Sequence, residues 1–392
     1  MQAFDYYNPT HIVFGEGRVA ELGEICKKIG KKVFFVTYDK EEMERIGLLD
    51  RVLAPMKEAG LEIAENYGIK SNPSMIYTRT LVEKAKEFQP DVLVAMGGGS
   101  VIDSCKCIAA SVGSDQDIWV LIENPELITA TIPLVTVCTI PATSSEMNNI
   151  CVIDKDDEEI VKKVGIQSDL IYPKYSILDP ELTTTISLRQ TAYSSADICS
   201  HLLEGYISHE DEYVGMQNRY FDAMIKTQME CMERLLVNPS DVKTRGLMMW
   251  AATNSWNGFC VLGLGRYESM IHVFGHVLSE MFNIAHGATC AIYIPAVMGF
   301  NVEKRKARYA RIGREIFGVD AEDDLCAARL AVVHMRAWLD HIGAPTSLKK
   351  ANVPMECFDE IVERSYTNVV DYCCEDRYTR EDVRKICELA IG

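Results

Sequence analysis

This sequence lacks the marks of a disulfide framework, a zinc knuckle or a membrane span. Its fourteen cysteines include no CxxC pair; Cys105 with Cys107 and Cys373 with Cys374 are too close for that motif, and several others sit in apolar stretches. Such a pattern predicts reduced, mostly buried thiols in a cytoplasmic protein. The longest apolar runs, such as ATCAIYIPAVMGF, fall short of the roughly 20 residues that a membrane helix needs. The amino-terminal MQAFDYYNPT has neither the basic head nor the apolar core of a secretory signal. Basic residues are scarce: 40 Lys and Arg stand against 57 Asp and Glu, a formal net charge of −17. That balance argues against nucleic acid or an anionic membrane surface as the main partner. It leaves room for an anionic cofactor, because backbone dipoles hold phosphate on an acidic protein. Two familiar phosphate motifs are also missing, the GxGxxG fingerprint and a Walker loop ending in GKS or GKT.

What is present reads as a globular protein of two or three domains, 392 residues long and 48% hydrophobic. The first half alternates strand and helix patterns. HIVF is a short strand and RVAELGEICKKIG an amphipathic helix; KVFFVTY is a buried strand. EEMERIGLLDRVLAPMKEAG continues as a helix with its bend or break expected near Pro55. LEIAENYG supplies another strand, and SNPSMIYTRTLVEKAKEF a helix whose start is marked by Ser71, Asn72 and Pro73. Alternation of this kind implies a parallel sheet with helices on its faces. PLVTVCTIPATSSEMNN runs from a strand into a hydroxyl-rich loop, and CVIDKDDEEIVKKVGI is a hairpin with its acidic turn around Asp156 and Asp157. From about Ser187 the periodicity becomes helical almost throughout, with strong amphipathic patterns in DEYVGMQNRYFDAMIKTQMECMERLL and AARLAVVHMRAWLDHIG. The expected organisation is an α/β domain over residues 1–183 and an all-α domain over residues 184–392.

Two stretches carry chemistry. DVLVAM runs straight into Gly97, Gly98, Gly99 and Ser100, followed by the helical SVIDSCKCIAASVG. Glycines between a buried strand and a helix let the backbone approach a ligand, and the helix start presents free N–H groups; a diphosphate is the natural guest. A tight turn needing positive φ is the plainer explanation, although a glycine triplet exceeds what one turn demands. The second stretch is helical residues 267–287, which carry His272, His276 and His286, with His286 just before a Gly287 where a helix could end or turn. His272 and His276 are four apart and share a helix face, as do Asp197 and His201 in SSADICSHLLEGY. Two such pairs plus a further histidine can converge on one divalent metal, iron, zinc or a neighbour. Core histidines satisfied by hydrogen bonds explain the same residues without a metal. All these ligand candidates lie in the helical half and the glycine loop in the other, so an active-site cleft between the halves is expected.

Taken together these features resemble the iron-containing alcohol dehydrogenase family across essentially the whole chain. GGGSVIDSCK is similar to the family's GGGSxxDxxK loop at Gly97, Gly98, Gly99, Ser100, Asp103 and Lys106; PATSSEMN and YPKYSILDPELT resemble its butanol-dehydrogenase-like branch. Asp197, His201, His272 and His286 fall on its four metal-ligand positions, the last two fourteen positions apart. The resemblance implies a Rossmann-like amino-terminal domain, a helical carboxy-terminal domain, and a homodimer that interconverts alcohols and aldehydes with a nicotinamide cofactor and one divalent metal, Fe2+ or Zn2+, with Ni2+ also compatible. It places Asp39, Asn72, Thr139, Thr143 and Lys163 along the cofactor cleft, and His276 near the nicotinamide as a catalytic candidate that does not bind metal. Lys106 would reach the ribose or cap a face; Asp103 would contact the nicotinamide side or bond backbone. One departure stands out: the family often has glycine after Thr143, and Ser144, which disfavours positive φ, occupies that place.

Asp39 bears on the cofactor. It follows KVFFVTY, where a strand of this kind delivers its carboxyl end to the adenosine ribose. A carboxylate there accepts hydrogen bonds from the ribose hydroxyls and repels a 2′-phosphate, so NAD(H) is expected over NADP(H). The competing role is a cap on the helix EEMERIG. Within the fold, a glycerol- or polyol-dehydrogenase-like relative or a dehydroquinate-synthase relative is the nearest rival, the synthase lacking here its cluster of basic phosphate-binding residues. A metal-dependent hydrolase on the histidine helices, or a binding protein without turnover, represents other classes.

Overall fold

The structure, a computed structural model, describes residues 1–208 and 214–392. Residues 211–213, the start of the amphipathic segment DEYVGMQNRYFDAMIKTQMECMERLL, lie outside the described residues. The chain forms two compact units. One is made of Tyr7–Ile186 with Asn238–Gly258, the other of Met1–Tyr6, Ser187–Val237 and Phe259–Gly392.

The first unit is built on a parallel sheet of β1 (His11–Phe14), β2 (Lys32–Val36), β3 (Glu62–Asn66), β4 (Val92–Gly98), β5 (Leu134–Ile140) and β8 (Tyr175–Leu178). Between β5 and β8, β6 (Ile150–Lys155) and β7 (Lys162–Gln167) pair antiparallel as the separate hairpin that the acidic turn implied. The sheet order is β1-β8-β5-β4-β2-β3. Alternation along β2 sends Phe34 and Val36 into one hydrophobic cluster and Val33 and Phe35 into the other. Both faces are therefore covered, and β4 is buried over its whole length, as a central parallel strand requires. The chain steps from β2 outward to β3 and then returns to the other side of β2 as β4. Strand order reverses there, and parallel α/β sheets bind ligands outside the carboxyl ends at such a point.

Two local details differ from the sequence expectation. The helical stretch after β2 breaks at Gly47 and not at Pro55, giving Lys40–Arg45 and Leu48–Glu58. Gly47 has φ 72°, which only glycine adopts without strain, whereas Pro55 is accommodated inside the second helix. The next helix starts at Met75, capped by Ser74, whose hydroxyl accepts from the Tyr77 N–H at 3.0 Å.

The helix Val242–Ser255 belongs to this first unit although it lies deep in the helical part of the sequence. Gly246 lets it approach closely: a Cβ there would sit 3.0 Å from Pro180. Thr253 donates to the buried Glu146 carboxylate at 2.6 Å. This helix lies beyond the expected boundary at residue 183, and its partners Pro180 and Glu146 are 66 and 107 positions away, so they leave no local trace.

The second unit is helical; among the described residues it contains no strand. Leu188–Ser208 is buried along nearly its whole length, and Gly215–Val237, Met270–Phe282, His286–Asn301 and Asp324–His341 are its other long helices. Among the described residues no helix is long and apolar enough to cross a membrane. All fourteen cysteines are free thiols, eleven of them buried.

Candidate metal centre and cofactor loop

In the helical unit, Asp197 and His201 share one face of Leu188–Ser208. The expected single helix over residues 267–287 is two. Met270–Phe282 stops at Asn283, whose φ of 51° is the left-handed geometry that ends helices, and His286 opens the next helix. This break sends His286 back toward the helix carrying His272, which a continuous rod would not do. Two close crossings complete the arrangement. A Cβ on Gly287 would lie 2.0 Å from the Tyr193 carbonyl oxygen, and one on Gly275 would lie 2.9 Å from the Thr289 hydroxyl.

The result is a cluster centred on Oδ1 of Asp197. His286 Nε2 is 3.5 Å from it, His272 Nε2 3.6 Å and His201 Nδ1 3.8 Å. The His201 and His272 rings stack with centroids 4.6 Å apart. Burial disfavours the Asp197 charge, but the surrounding imidazoles of His201, His286 and His272 outweigh it and hold the carboxyl below its usual range. Burial pushes His201 down to about 3, which keeps it neutral and able to act as a ligand.

Two features of the cluster escaped the sequence reading. Glu204 is 1% exposed and accepts from the His272 backbone N–H at 2.9 Å, lies 2.7 Å from His272 Nδ1, and accepts from the Tyr267 hydroxyl at 2.9 Å. It fixes the ring so that Nε2 faces Asp197; that Nε2 is buried with no hydrogen-bond partner among the described residues. Burial works against a charged His272, yet Glu204 and Asp197 raise it to about 10, so a cation bound here would displace the proton from Nε2. A carboxylate behind a ligating histidine is the usual support of a metal site. Glu204 is seven residues after Asp197 and so on the same helix face, which is the signal that could have found it. The second feature is Cys290, four residues after His286, whose Sγ is 3.8 Å from both Asp197 Oδ1 and His286 Nε2. The donor chemistry, the buried carboxylate and the unpartnered Nε2 fit a divalent cation.

His276 stands beside the cluster, with its ring centroid 5.5 Å from that of His286. Its Nδ1 is 3.3 Å from the hydroxyl of Tyr372, another residue that nothing in the local sequence singles out.

In the α/β unit, the loop Gly97–Ser100 lies at the carboxyl end of β4, beside the ordering switch. None of its glycines has positive φ, so the turn explanation for the triplet does not hold. Close packing demands them: an added Cβ would meet Val101 at 2.4 Å from Gly97, Ile140 at 3.0 Å from Gly98, and Thr143 at 2.7 Å from Gly99. The Gly98 N–H donates to the Tyr38 hydroxyl at 3.0 Å, and the Ser100 hydroxyl donates to the Ser71 carbonyl at 2.8 Å.

Several candidates brace this edge of the sheet. Lys106 is fully buried; its ammonium donates to Asn148 Oδ1 at 2.8 Å and the Ile150 carbonyl at 2.7 Å, and burial lowers it to about 8. Asp103 accepts from the Ser145 hydroxyl and from the Val152 N–H at 3.0 Å. Thr139 is buried at the end of β5, and Thr143 Oγ1 accepts from the Ser145 N–H at 3.2 Å. Lys163 donates to Asp154 at 2.7 Å and to Asn72 at 3.1 Å. Asp39 caps Lys40–Arg45, its Oδ1 accepting from the Glu42 N–H at 3.1 Å, so the cap role is present and leaves the carboxylate exposed at the end of β2.

Ser144 takes the left-handed conformation, with φ 55°. Its hydroxyl donates to the Ala252 carbonyl at 2.5 Å and accepts from the Trp256 N–H at 2.8 Å. Strain of about 1 kcal/mol at a non-glycine residue is offset by two buried hydrogen bonds that glycine cannot make.

The family models for iron-containing alcohol dehydrogenase and for its Fe-containing C-terminal part match residues 9–180 and 191–391. The chain is 33% identical to the NADH-dependent butanol dehydrogenase A of Clostridium acetobutylicum, over 94% of each chain. It is 29% identical to the NADPH-dependent aldehyde reductase YqhD of Escherichia coli, over 89% of each. The crystal structure of NADH-dependent butanol dehydrogenase A from Thermotoga maritima superposes with a TM-score of 0.93 at 35% identity, covering 100% of this chain and 99% of that one.

Proposed function

This chain belongs to the iron-containing alcohol dehydrogenase family, and we propose that within it the protein reduces short-chain aldehydes such as butanal, and oxidises the matching primary alcohols, with NADH preferred over NADPH. It is an NAD(P)-dependent oxidoreductase of alcohols and aldehydes. The finer reading draws on relatives named for butanol and NADH, and on the Asp39 carboxylate at the end of β2, where it would accept from a ribose 2′-hydroxyl and repel a 2′-phosphate.

Asp197, His201, His272 and His286 would hold a divalent metal. When bound, such a metal supplies Lewis-acid polarisation of a carbonyl or stabilises an alkoxide. The protein's own groups do the rest. Glu204 locks the His272 ring through Nδ1 and so fixes where Nε2 points. Tyr372 lies 3.3 Å from Nδ1 of His276 and would orient a ring suited to proton exchange with solvent or substrate. The Gly97–Ser100 loop and the N-terminus of Gly99–Ser114 would face the cofactor diphosphate, as a helix start favours an anion.

The observation that carries this reading is the convergence of three imidazoles on one buried carboxylate oxygen. The test follows NADH and NADPH absorbance with a panel of short aldehydes after metal reconstitution. NADH consumption with butanal, at higher kcat/KM than NADPH and lost in His286→Ala, is expected. No oxidation of either cofactor with any aldehyde would overturn the reading.

A further inference from the structure

Cys290 lies inside the donor cluster, and four protein ligands drawn from aspartate and histidine leave it without a task. One ligand atom each from Asp197, His272, His286 and Cys290 all lie within 4.8 Å of one another. Ligand bonds of about 2.0 Å to oxygen, about 2.1 Å to nitrogen and about 2.3 Å to sulfur imply tetrahedral edges of roughly 3.4 Å between oxygen and nitrogen and roughly 3.6 Å to sulfur. The corresponding separations are 3.5 Å for His286 and 3.6 Å for His272 to Asp197, and 3.8 Å from Cys290 Sγ to both Asp197 and His286. These atoms already stand at nearly the spacing of ligands around one small cation.

Their backbone supports are stiff. His286 and Cys290 are four apart on one helix, so both side chains leave the same face. The crossings at Gly275 and Gly287 hold that helix against its two neighbours. Cys290 is fully buried, so its sulfur is screened from solvent thiols. His272 Nε2, aimed into the same space and without a hydrogen-bond partner among the described residues, independently points to an occupant.

We infer that Cys290 is a sulfur ligand of the metal in this site, alongside Asp197, His272 and His286, with His201 stacked against His272 as a further nitrogen donor. The inference rests on the metal reading above and deepens it by naming a donor. On binding, the thiol gives its proton to solvent and the thiolate forms the bond to the cation. Asp197 and the thiolate then together neutralise a divalent ion in a buried pocket, where uncompensated charge is expensive. A thiolate also shifts the preference toward softer cations, so this chain favours zinc over ferrous iron more than an all-nitrogen-and-oxygen site would.

The test uses the full chain, stripped of metal and reloaded with cobalt(II) alone. Wild type is expected to bind one equivalent, with visible ligand-field bands and an intense ultraviolet thiolate-to-cobalt charge-transfer band. Cys290→Ser should keep the visible bands and lose the ultraviolet one, and should bind zinc at least tenfold more weakly. Visible bands without the ultraviolet band in wild type, or the ultraviolet band persisting in Cys290→Ser, would overturn the sulfur ligand and leave the metal site standing. No cobalt bound by wild type would overturn both. X-ray absorption at the zinc edge of the wild type decides the matter without any variant: one sulfur at about 2.3 Å is expected, and a shell of nitrogen and oxygen alone refutes it.

Discussion

Replacing Glu204 by glutamine isolates what holds His272 in place. The carboxylate accepts at both oxygens: Oε1 from the His272 backbone N–H at 2.9 Å, and Oε2 from the Tyr267 hydroxyl at 2.9 Å, with His272 Nδ1 2.7 Å from Oε2. An amide of the same shape keeps one oxygen, so either the backbone N–H or the Nδ1 and hydroxyl side faces an NH2 group that cannot accept. The charge that favours an N–H on Nδ1, and so an open lone pair on Nε2, is also gone. Losing the support behind a ligating histidine weakens metal affinity by about 10- to 100-fold, equivalent to about 1.4–2.7 kcal/mol. Competition between the protein and a chelator for cobalt(II) or zinc measures this directly, with circular dichroism to show that both proteins are folded. Glu204 is buried on a helix more than sixty residues from its partner, so its loss acts on the ring and not on an exposed surface. A Glu204→Gln protein that is folded and binds metal as tightly as wild type would refute the argument that this carboxylate positions His272.

Three further outcomes follow from other parts of the molecule. Ser144→Gly relieves the left-handed strain yet forfeits bonds to Ala252 and Trp256, so it should lower unfolding free energy by about 2 kcal/mol, and Ser144→Ala by about 1 kcal/mol more; a Gly variant more stable than wild type in urea titration would count against the account. Lys106 has a folded-state value of about 8 against an ordinary 10.5, so between those pH values the unfolded chain holds more protons and stability rises with pH. The burial penalty of about 3 kcal/mol is present below pH 8 and lost toward pH 10.5; the rise should be present in wild type and absent from Lys106→Met when unfolding is compared across that window. Asp39→Gly should move the kcat/KM ratio toward NADPH while costing only a few tenths of a kcal/mol in stability, because glycine is a tolerable cap; a wild-type preference for NADPH contradicts the role given to the carboxylate.

Much of this was legible in the sequence because it is local. Alternation fixes which β2 residues face each side of the sheet, and a four-residue spacing puts Asp197 with His201 and His272 with His276 whatever the rest of the chain does. The glycine triplet was equally visible, although its reason was not: the glycines answer to Val101, Ile140 and Thr143, not to a positive φ. Convergence is what no window of sequence contains. Glu204 meets His272 across 68 positions and Cys290 meets Asp197 across 93, so neither pairing has a period to read. The same holds for Ser144, whose disfavoured conformation is stabilised by partners 108 and 112 residues away. Helical periodicity placed each donor on a face. Only the break at Asn283 and the close crossings at Gly275 and Gly287 decided that those faces meet, because packing depends on which backbones can approach, and that is settled by the whole folded chain.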